Sequence, residues 1–444
     1  MYLHRREFLA VSAATGAAFA VPAVWAQPAA VAAKKYRVAL SGCGWYGTSD
    51  LLRLIQVAPV EVVGLCDPDT KQLTTTSGLV CQRQKLSQGP PVFGDYRQML
   101  KACRPDIVLV ATPDHWHALQ MIAAVEAGAD VYVQKPISTD VLEGEAMVAA
   151  ARKHDRVVQV GQQQRNGKDW AQMAEYLHSG ALGKVAKVDI WGNFLYAAGM
   201  PPMPDTEAPA DLDYDMWLGP APKRPFNEGR WNRYWRMYWS YGGGLMSDWG
   251  VHLLDMGLWG LDKTVMPKST VARGGKYLRP DYASETFDTM NVCYDFGDCL
   301  MNWYQCAGTE TGFYDRNYGL AFKGVNGTLV ANRAGWEVIP EKDEAEGKEK
   351  KNKVEPPQKV KGDNNAADRD HCRQFVEKAK AHQFDTACTV ERGSYCAKIA
   401  HIGNIAALTG KALVYDDAKA KFDDAEANKY LAPAYRAPWK LPNL

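Results

Sequence analysis

The chain has 444 residues, 46% hydrophobic and 23% charged, a globular composition long enough for two packed domains. Its 52 basic and 51 acidic residues leave a net charge of +1, which argues against a nucleic-acid-binding or polybasic membrane-binding surface. Apart from the N-terminal segment, no stretch approaches the ~20 apolar residues that a membrane span needs.

The N-terminus reads as a targeting segment. His4–Arg5–Arg6–Glu7–Phe8–Leu9 is a twin-arginine start, followed by an apolar stretch from Ala10 to Val21. Val24–Trp25–Ala26 supplies small residues for cleavage before Gln27. The expectation is a signal over 1–26, export through the twin-arginine machinery to the periplasm, and a linker over 27–35. Ten cysteines without a Cys-x-x-Cys pair, in a chain that folds before export, read as buried free thiols. Their spacing supports no metal site.

From Tyr36 to about Val160, apolar strands alternate with helices, which predicts a doubly wound parallel sheet of the Rossmann type over 36–160. Gly42–Cys43–Gly44–Trp45–Tyr46–Gly47 is G-x-G-x-x-G between a strand and a helix. In that setting the first glycine makes the tight turn, the second admits a pyrophosphate and the third lets helix and strand pack. Asp67 ends the next strand, twenty residues after Gly47, where an acid meets the adenosine ribose. Its charge favours NAD, while Lys71 and Arg83 keep NADP possible. Thr112–Pro113–Asp114–His115–Trp116–His117 and Gln134–Lys135–Pro136 follow two further strands, at the edge where such sheets bind ligands.

Beyond Gly161 the pattern becomes α+β. Strand-like stretches recur at Val185–Trp191, Phe287–Phe296, Leu300–Gln305, Leu320–Phe322, Thr328–Ala331 and Trp336–Ile339. They predict a large open, mostly antiparallel sheet in a second domain over 161–420, followed by an extended arm over 421–444. Glu341–Gly362 is charged and reads as a solvated loop. The sharpest feature is Gly242–Gly257, GGGLMSDWGVHLLDMG. Taken as a helix opening at the glycines, it sets Asp248 and His252 four residues apart on one face. Such a pair can orient a hydroxyl and take its proton. Trp231, Tyr234, Trp235 and Arg236, just upstream, are candidate sugar-binding faces and donors.

The segments GCGWYG, ATPDHWHA, VQKP, VVQVGQQQR, DYDMWLGPAPKRPFN, GGGLMSDWGVHLLD and YRAPWKL together resemble the glucose-fructose oxidoreductase and inositol dehydrogenase family (Gfo/Idh/MocA), in its exported branch. The resemblance implies a Rossmann domain joined to an α/β domain whose open sheet is often buried in a dimer or tetramer. Lys135 matches the lysine of the family's Glu-Lys-Pro motif, which contacts cofactor and substrate, and Asp248 and His252 match its catalytic Asp-x-x-x-His pair. Asp255 is a further candidate for a substrate hydroxyl. Gly42, Gly44, Trp45, Tyr46, Gly47, Asp67, Thr112, Pro113, His117, Lys135 and Gln163 form the candidate cofactor set. Gln134 stands where the motif usually has Glu, one charge fewer beside Lys135.

The implied reaction is oxidation of a secondary hydroxyl of a sugar or glycoside. His252 acts as base, Asp248 orients the substrate or the imidazole, and Lys135 stabilises alkoxide charge. Outside the cytoplasm free nicotinamide cofactor is scarce, so an exported enzyme must keep its NAD(P) and regenerate it. A redox-neutral glycosidase or lyase working through transient oxidation is the alternative chemistry. A non-catalytic sugar sensor is a third.

Overall fold

The computed structural model describes residues 35–231, 233–343 and 350–443. The expected signal over 1–26, and all of the linker except residue 35, lie outside the described residues. The first sheet is built from β1 (Tyr36–Ser41), β2 (Val60–Cys66), β3 (Val92–Phe93), β4 (Ile107–Val110), β5 (Asp130–Val133) and β6 (Val158–Val160). Its order is β3-β2-β1-β4-β5-β6, parallel throughout. Helices α1 (Trp45–Val57), α2 (Thr70–Gln84), α3 (Tyr96–Cys103), α4 (His117–Glu126) and α5 (Val141–Lys153) connect the strands. Because β4 and β5 are buried on both faces, helices must cover both. The strand order reverses between β1 and β4, and the ligand crevice of such a sheet opens at that switch point.

Helix α6 (Lys168–His178) leads into the second layer system, through β7 (Val185–Gly192), α7 (Tyr214–Leu218) and α8 (Val251–Gly260). Then follow β8 (Ser269–Gly275), β9 (Thr289–Asp295), β10 (Leu300–Cys306), β11 (Tyr318–Gly324), β12 (Gly327–Asn332), β13 (Gly335–Pro340) and β14 (Val360–Lys361). Helices α9 (Asn364–Ala381) and α10 (Val390–Thr409) and strand β15 (Ala412–Leu413) complete it. The nine strands run β14-β13-β12-β11-β7-β10-β9-β8-β15. Only β7 and β10 are parallel neighbours, so the sheet is mostly antiparallel, as the alternation predicts. Strand β8, STVARGG, alternates buried Thr270 and Ala272 with outward Val271 and Arg273. Its small and charged residues give little hydrophobic signal.

Two features depart from a simple division of the chain. Helix α9 places Cys372, Phe375, Val376 and Ala379 in one core with Leu51 and Leu54 of α1 and Val38 and Leu40 of β1. A helix more than two hundred residues downstream thus covers one face of the Rossmann sheet. On the other face, Tyr435, Trp439 and Leu441 of the terminal arm pack with Tyr96, Trp116 and Leu119, and the Trp439 and Trp116 rings meet edge to face at 4.9 Å. The ten cysteines are unpaired; seven are buried and three half-buried.

The segment expected as one α-helix from the glycines departs from that form. Residues Met246–Gly250 form a π-helical turn ahead of α8. The wider turn breaks the regular i,i+4 register over Asp248. Asp255 corrects the reading further. It is fully buried and accepts from Arg165 Nε and Nη2, both at 2.7 Å, and from Arg392 Nε at 3.3 Å. Both of its oxygens are committed to ties joining α8 to the turn after β6 and to α10, so Asp255 is a structural carboxylate rather than a substrate ligand. Removing one partner of a buried pair leaves the other charge uncompensated. Asp255→Ala should therefore lower unfolding stability by about 3–5 kcal/mol, read from denaturant midpoints at unchanged slope.

Candidate active site

The glycine loop lies at the switch point. Gly42 has φ +92°, and a Cβ there would sit 2.5 Å from the carbonyl carbon of Ala111. A Cβ at Gly47 would meet the Gly42 oxygen at 2.0 Å. Both positions need glycine for backbone contact. Gly44 differs, since a Cβ there meets nothing within 4 Å; its space faces out of the fold, as a pyrophosphate approach requires. Helix α1 starts directly after it, with no side-chain cap and no acid in its first turn. Its terminal N–H groups and positive dipole end are therefore unspent. Trp45 is 82% exposed at the mouth of this cradle, edge to face with half-buried Tyr46 at 5.4 Å.

Asp67 at the end of β2 accepts from the backbone N–H of Cys43 at 2.7 Å and of Asp69 at 2.9 Å. These bonds fix it beside the loop with lone pairs left for ribose hydroxyls. Thr112 Oγ1, beyond β4, is buried without a partner. Open space at Gly44, an unspent helix terminus, a fixed acid and an orphaned hydroxyl together fit a dinucleotide. Pro113 opens the turn after Thr112. Gln163 is buried and donates to Tyr132 Oη at 3.2 Å.

His117 was expected at the cofactor, and its surroundings correct that expectation. The imidazole is fully buried, with Nδ1 2.7 Å from the Pro136 carbonyl and Nε2 2.9 Å from that of Thr112. Both ring nitrogens face backbone oxygens; the ring donates to one of them, and neither nitrogen is open to a ligand. Burial holds its pKa down to about 4.

The centre of the site is a charge cluster that spans both domains. Lys135 Nζ, following β5, donates to Asp248 Oδ1 at 2.7 Å and to the Asp248 carbonyl at 2.8 Å. Arg236 Nε lies 3.2 Å from the same Oδ1, and Tyr196 Oη donates to Asp248 Oδ2 at 2.6 Å. Arg236 also donates from Nη2 to Asp114 Oδ1 at 3.1 Å, with its guanidinium 4.1 Å over the Trp235 ring. Burial pushes the Asp248 carboxyl up, but Lys135 and Arg236 overcome it and hold the group well below the usual carboxylate range. Burial lowers the Lys135 ammonium against the pull of Asp248. Asp114, fully buried with Oδ2 unpartnered, is pushed up to about 7 by burial despite Arg236.

Asp248 is thus engaged by Lys135, Arg236 and Tyr196, and among the described residues no hydrogen bond joins it to His252. His252 is buried, with Nδ1 unpartnered and its ring edge to face with Trp249 at 6.0 Å. Burial and the charges of Lys135, Arg333 and Arg236 hold its pKa well below the usual histidine range, so the imidazole is neutral. Of the aromatic run, Trp235 and Arg236 join the cluster. Trp231 packs instead against Trp217 and Phe226 at 5.1 and 6.0 Å, and Tyr234 takes no part in the ion pairing. The residues that sequence reasoning missed are Tyr196, Asp114 and Arg333. Asp114 sits inside a recognised motif, whereas Tyr196, in the short 3-10 helix Leu195–Ala198, and Arg333, in a hairpin turn, carry no local signature.

Gln134 turns away from the Lys135 ammonium. Its Nε2 donates to Asp50 Oδ2 at 2.5 Å, and Asp50 is buried within α1 and pairs with Arg53 at 3.1 Å. A buried acid thus already stands against position 134, and the amide is the partner it needs.

Two family models match the chain: the Gfo/Idh/MocA oxidoreductase family, NAD-binding Rossmann fold, over residues 36–162, and its C-terminal alpha/beta domain over 171–359. The chain is 31% identical over 156 residues to inositol 2-dehydrogenase 4 of Saccharopolyspora erythraea, covering 34% of this chain and 43% of that protein. It is 34% identical over 135 residues to a glycosyl hydrolase family 109 protein of Stenotrophomonas maltophilia, covering 29% of each. These matches span less than half the length of either relative. Among solved structures, myo-inositol 2-dehydrogenase from Lactobacillus plantarum superposes with a TM-score of 0.63 at 18% identity, over 86% of this chain and 100% of that one. Levoglucosan dehydrogenase, in complex with NADH and levoglucosan, gives 0.61 at 16%, over 86% and 99%. At these identities the structural likeness is one of fold.

Gln134→Glu would face Asp50 with a second carboxylate. Like charges in one buried site cannot both ionise, so the variant should lose about 1–3 kcal/mol at pH 8 and recover part of it at pH 5. Urea melts at the two pH values check this, and equal losses at both would show that the charge is not the cause.

Proposed function

The chain belongs to the Gfo/Idh/MocA oxidoreductase family, whose Rossmann domain binds NAD, and on that premise we propose that it oxidises a secondary hydroxyl of a sugar or glycoside with a tightly held cofactor. The observation that carries this reading is the Lys135–Asp248 pair at 2.7 Å, with neutral His252 one helical turn on. It lies at the carboxyl ends of the Rossmann strands, where dinucleotides bind in this fold.

Bound NAD supplies the hydride acceptor. Lys135, fixed by Asp248, donates to the substrate oxygen and stabilises its developing negative charge. His252, held neutral, accepts the hydroxyl proton on its imidazole ring. Tyr196, whose hydroxyl hydrogen is directed at Asp248 Oδ2, keeps its oxygen lone pairs for a sugar hydroxyl. In this proposal the enzyme works in the periplasm, a reading the twin-arginine motif supports, and its cofactor is retained and recycled there. Assembly into a homo-oligomer is part of this proposal.

One relative favours a second chemistry. The match to a family 109 glycosyl hydrolase supports redox-neutral cleavage, in which transient oxidation would acidify a neighbouring C–H, elimination would expel the aglycone, water would add to the unsaturated sugar and the hydride would be returned. The two are separated by following the fluorescence of reduced nicotinamide in purified protein while sugars and glycosides are added singly. Lasting reduction by one compound identifies an oxidoreductase and its donor. Glycoside cleavage without net reduction identifies the second chemistry, and the absence of bound or bindable nucleotide would sink both.

The neutral imidazole gives a pH prediction. His252 must be unprotonated to act, and its pKa lies below the ordinary value of about 6.5, so the inactivating protonation moves to lower pH. The acid limb of kcat/KM should fall well under pH 6.5. His252→Asn should lower kcat by ~10²–10⁴-fold while NAD binding persists; unimpaired turnover would remove His252 as the base.

A further inference from the structure

Arg333 stands in the turn between β12 and β13, on the second domain's sheet. Its guanidinium lies over Trp249, with Cζ 4.5 Å from the ring centroid, and Nη2 donates to Gln164 Oε1 at 3.3 Å. Among the described residues Arg333 makes no ion pair. Asp368 feels its charge but is paired to Arg53 at 3.0 Å. Beside it Gln164 is 4% exposed, and its Nε2 has no partner. A half-buried guanidinium without a carboxylate and a buried amide donor without an acceptor therefore stand together, an arrangement that an anion completes.

The position of this pair names the anion. Arg333 acts electrostatically on Tyr46, in the first turn of α1, and on His252. Trp249 beneath the guanidinium lies 6.0 Å from the His252 ring, so Arg333 stands beside the imidazole and within electrostatic reach of the first turn of α1. The cradle offers the N–H groups of α1 and the open space at Gly44, but no cationic side chain of its own loop, which reads Gly-Cys-Gly-Trp-Tyr-Gly.

We infer that Arg333 and Gln164 form an oxyanion site of the second domain that closes on the NAD pyrophosphate from the side opposite the glycine loop. This rests on the NAD-dependent reading above and adds the group that holds the cofactor in place. Arg333 supplies the charge that the helix dipole only partly provides, and Gln164 Nε2 supplies the second donor. Because the clamp comes from a different domain than the cradle, dissociation of the dinucleotide requires the β12–β13 turn to draw back. The contribution falls chiefly on the off-rate.

A carboxylate on the substrate is the other source of the same chemistry, and the choice of probes separates them. NAD and ADP-ribose both carry the pyrophosphate, and only NAD carries nicotinamide; glucuronate, added to NAD-loaded protein, carries only a sugar carboxylate. For Arg333→Gln, calorimetry should show the Kd for NAD and for ADP-ribose raised together by ~10–100-fold, with faster NAD release in stopped flow. Arg333→Lys should recover part of the loss. Gln164→Glu, which pairs with Arg333 and repels phosphate, should weaken both nucleotides comparably and carries the test alone if Arg333→Gln fails to fold. An ADP-ribose Kd unchanged within twofold in both variants overturns the inference, and does so equally if glucuronate binding is lost instead. If the native protein binds no nucleotide, the NAD reading itself fails with it.

Discussion

Two charges 113 residues apart in sequence, Lys135 and Asp248, meet at 2.7 Å in the interior, and the arrangement of the site follows from that contact. Lys135 leaves the end of a Rossmann strand, and Asp248 sits on the π-turn of the second domain. A buried pair is held only if further hydrogen bonds offset the loss of water. Here the Asp248 carbonyl and Tyr196 provide them, Arg236 adds its charge at 3.2 Å, and Arg236 is itself held by Asp114. Five polar side chains therefore form one unit that exists only while the two domains stay packed. Helix α9 and the terminal arm, both far downstream, are bound to the Rossmann layer and keep that packing in register.

The same cluster sets the state of His252. An imidazole beside a carboxylate is normally drawn toward protonation. Here burial already disfavours the imidazolium, and because Asp248 spends its charge on Lys135 and Arg236 the nearby cations add to that, so His252 stays neutral. His252 and Asp248 thus form no relay. The aspartate fixes the lysine, and burial together with the lysine's charge keeps the histidine neutral.

How much of this was legible in the sequence depends on how local each constraint is. Gly42 and Gly47 were readable because backbone contact leaves no room for a Cβ. The strands β4 and β5 were readable because burial on both faces forces unbroken apolar runs. Lys135, Asp248 and His252 were legible through the motifs that carry them, but their pairing was not. The α-helical i,i+4 rule places Asp248 against His252, whereas the π-turn and the neighbouring Tyr196 and Arg236 give Asp248 other partners. Asp255 follows the same helical stripe, yet one turn further on the helix enters the core, where Arg165 and Arg392 take both of its oxygens. Tyr196 and Arg333 depend on which loops the nine-stranded sheet brings together. No local pattern encodes that.

Gln134 shows why a departure from a motif has to be read with its surroundings. A missing charge beside Lys135 suggests a weakened lysine, if position 134 faces the ammonium. The amide instead faces Asp50, one helix away, and the acid there is pushed up to about 7 by burial in spite of Arg53 and Gln134. Under the β5 terminus the chain therefore keeps one carboxylate, placed on α1 rather than on β5. That carboxylate ties the helix bearing the glycine loop to the strand bearing Lys135, through Gln134, and to α9, through Arg53 and Asp368. The cofactor cradle, the lysine and the helix that covers the sheet share one buried network, so a displacement of any one of them is felt at the other two.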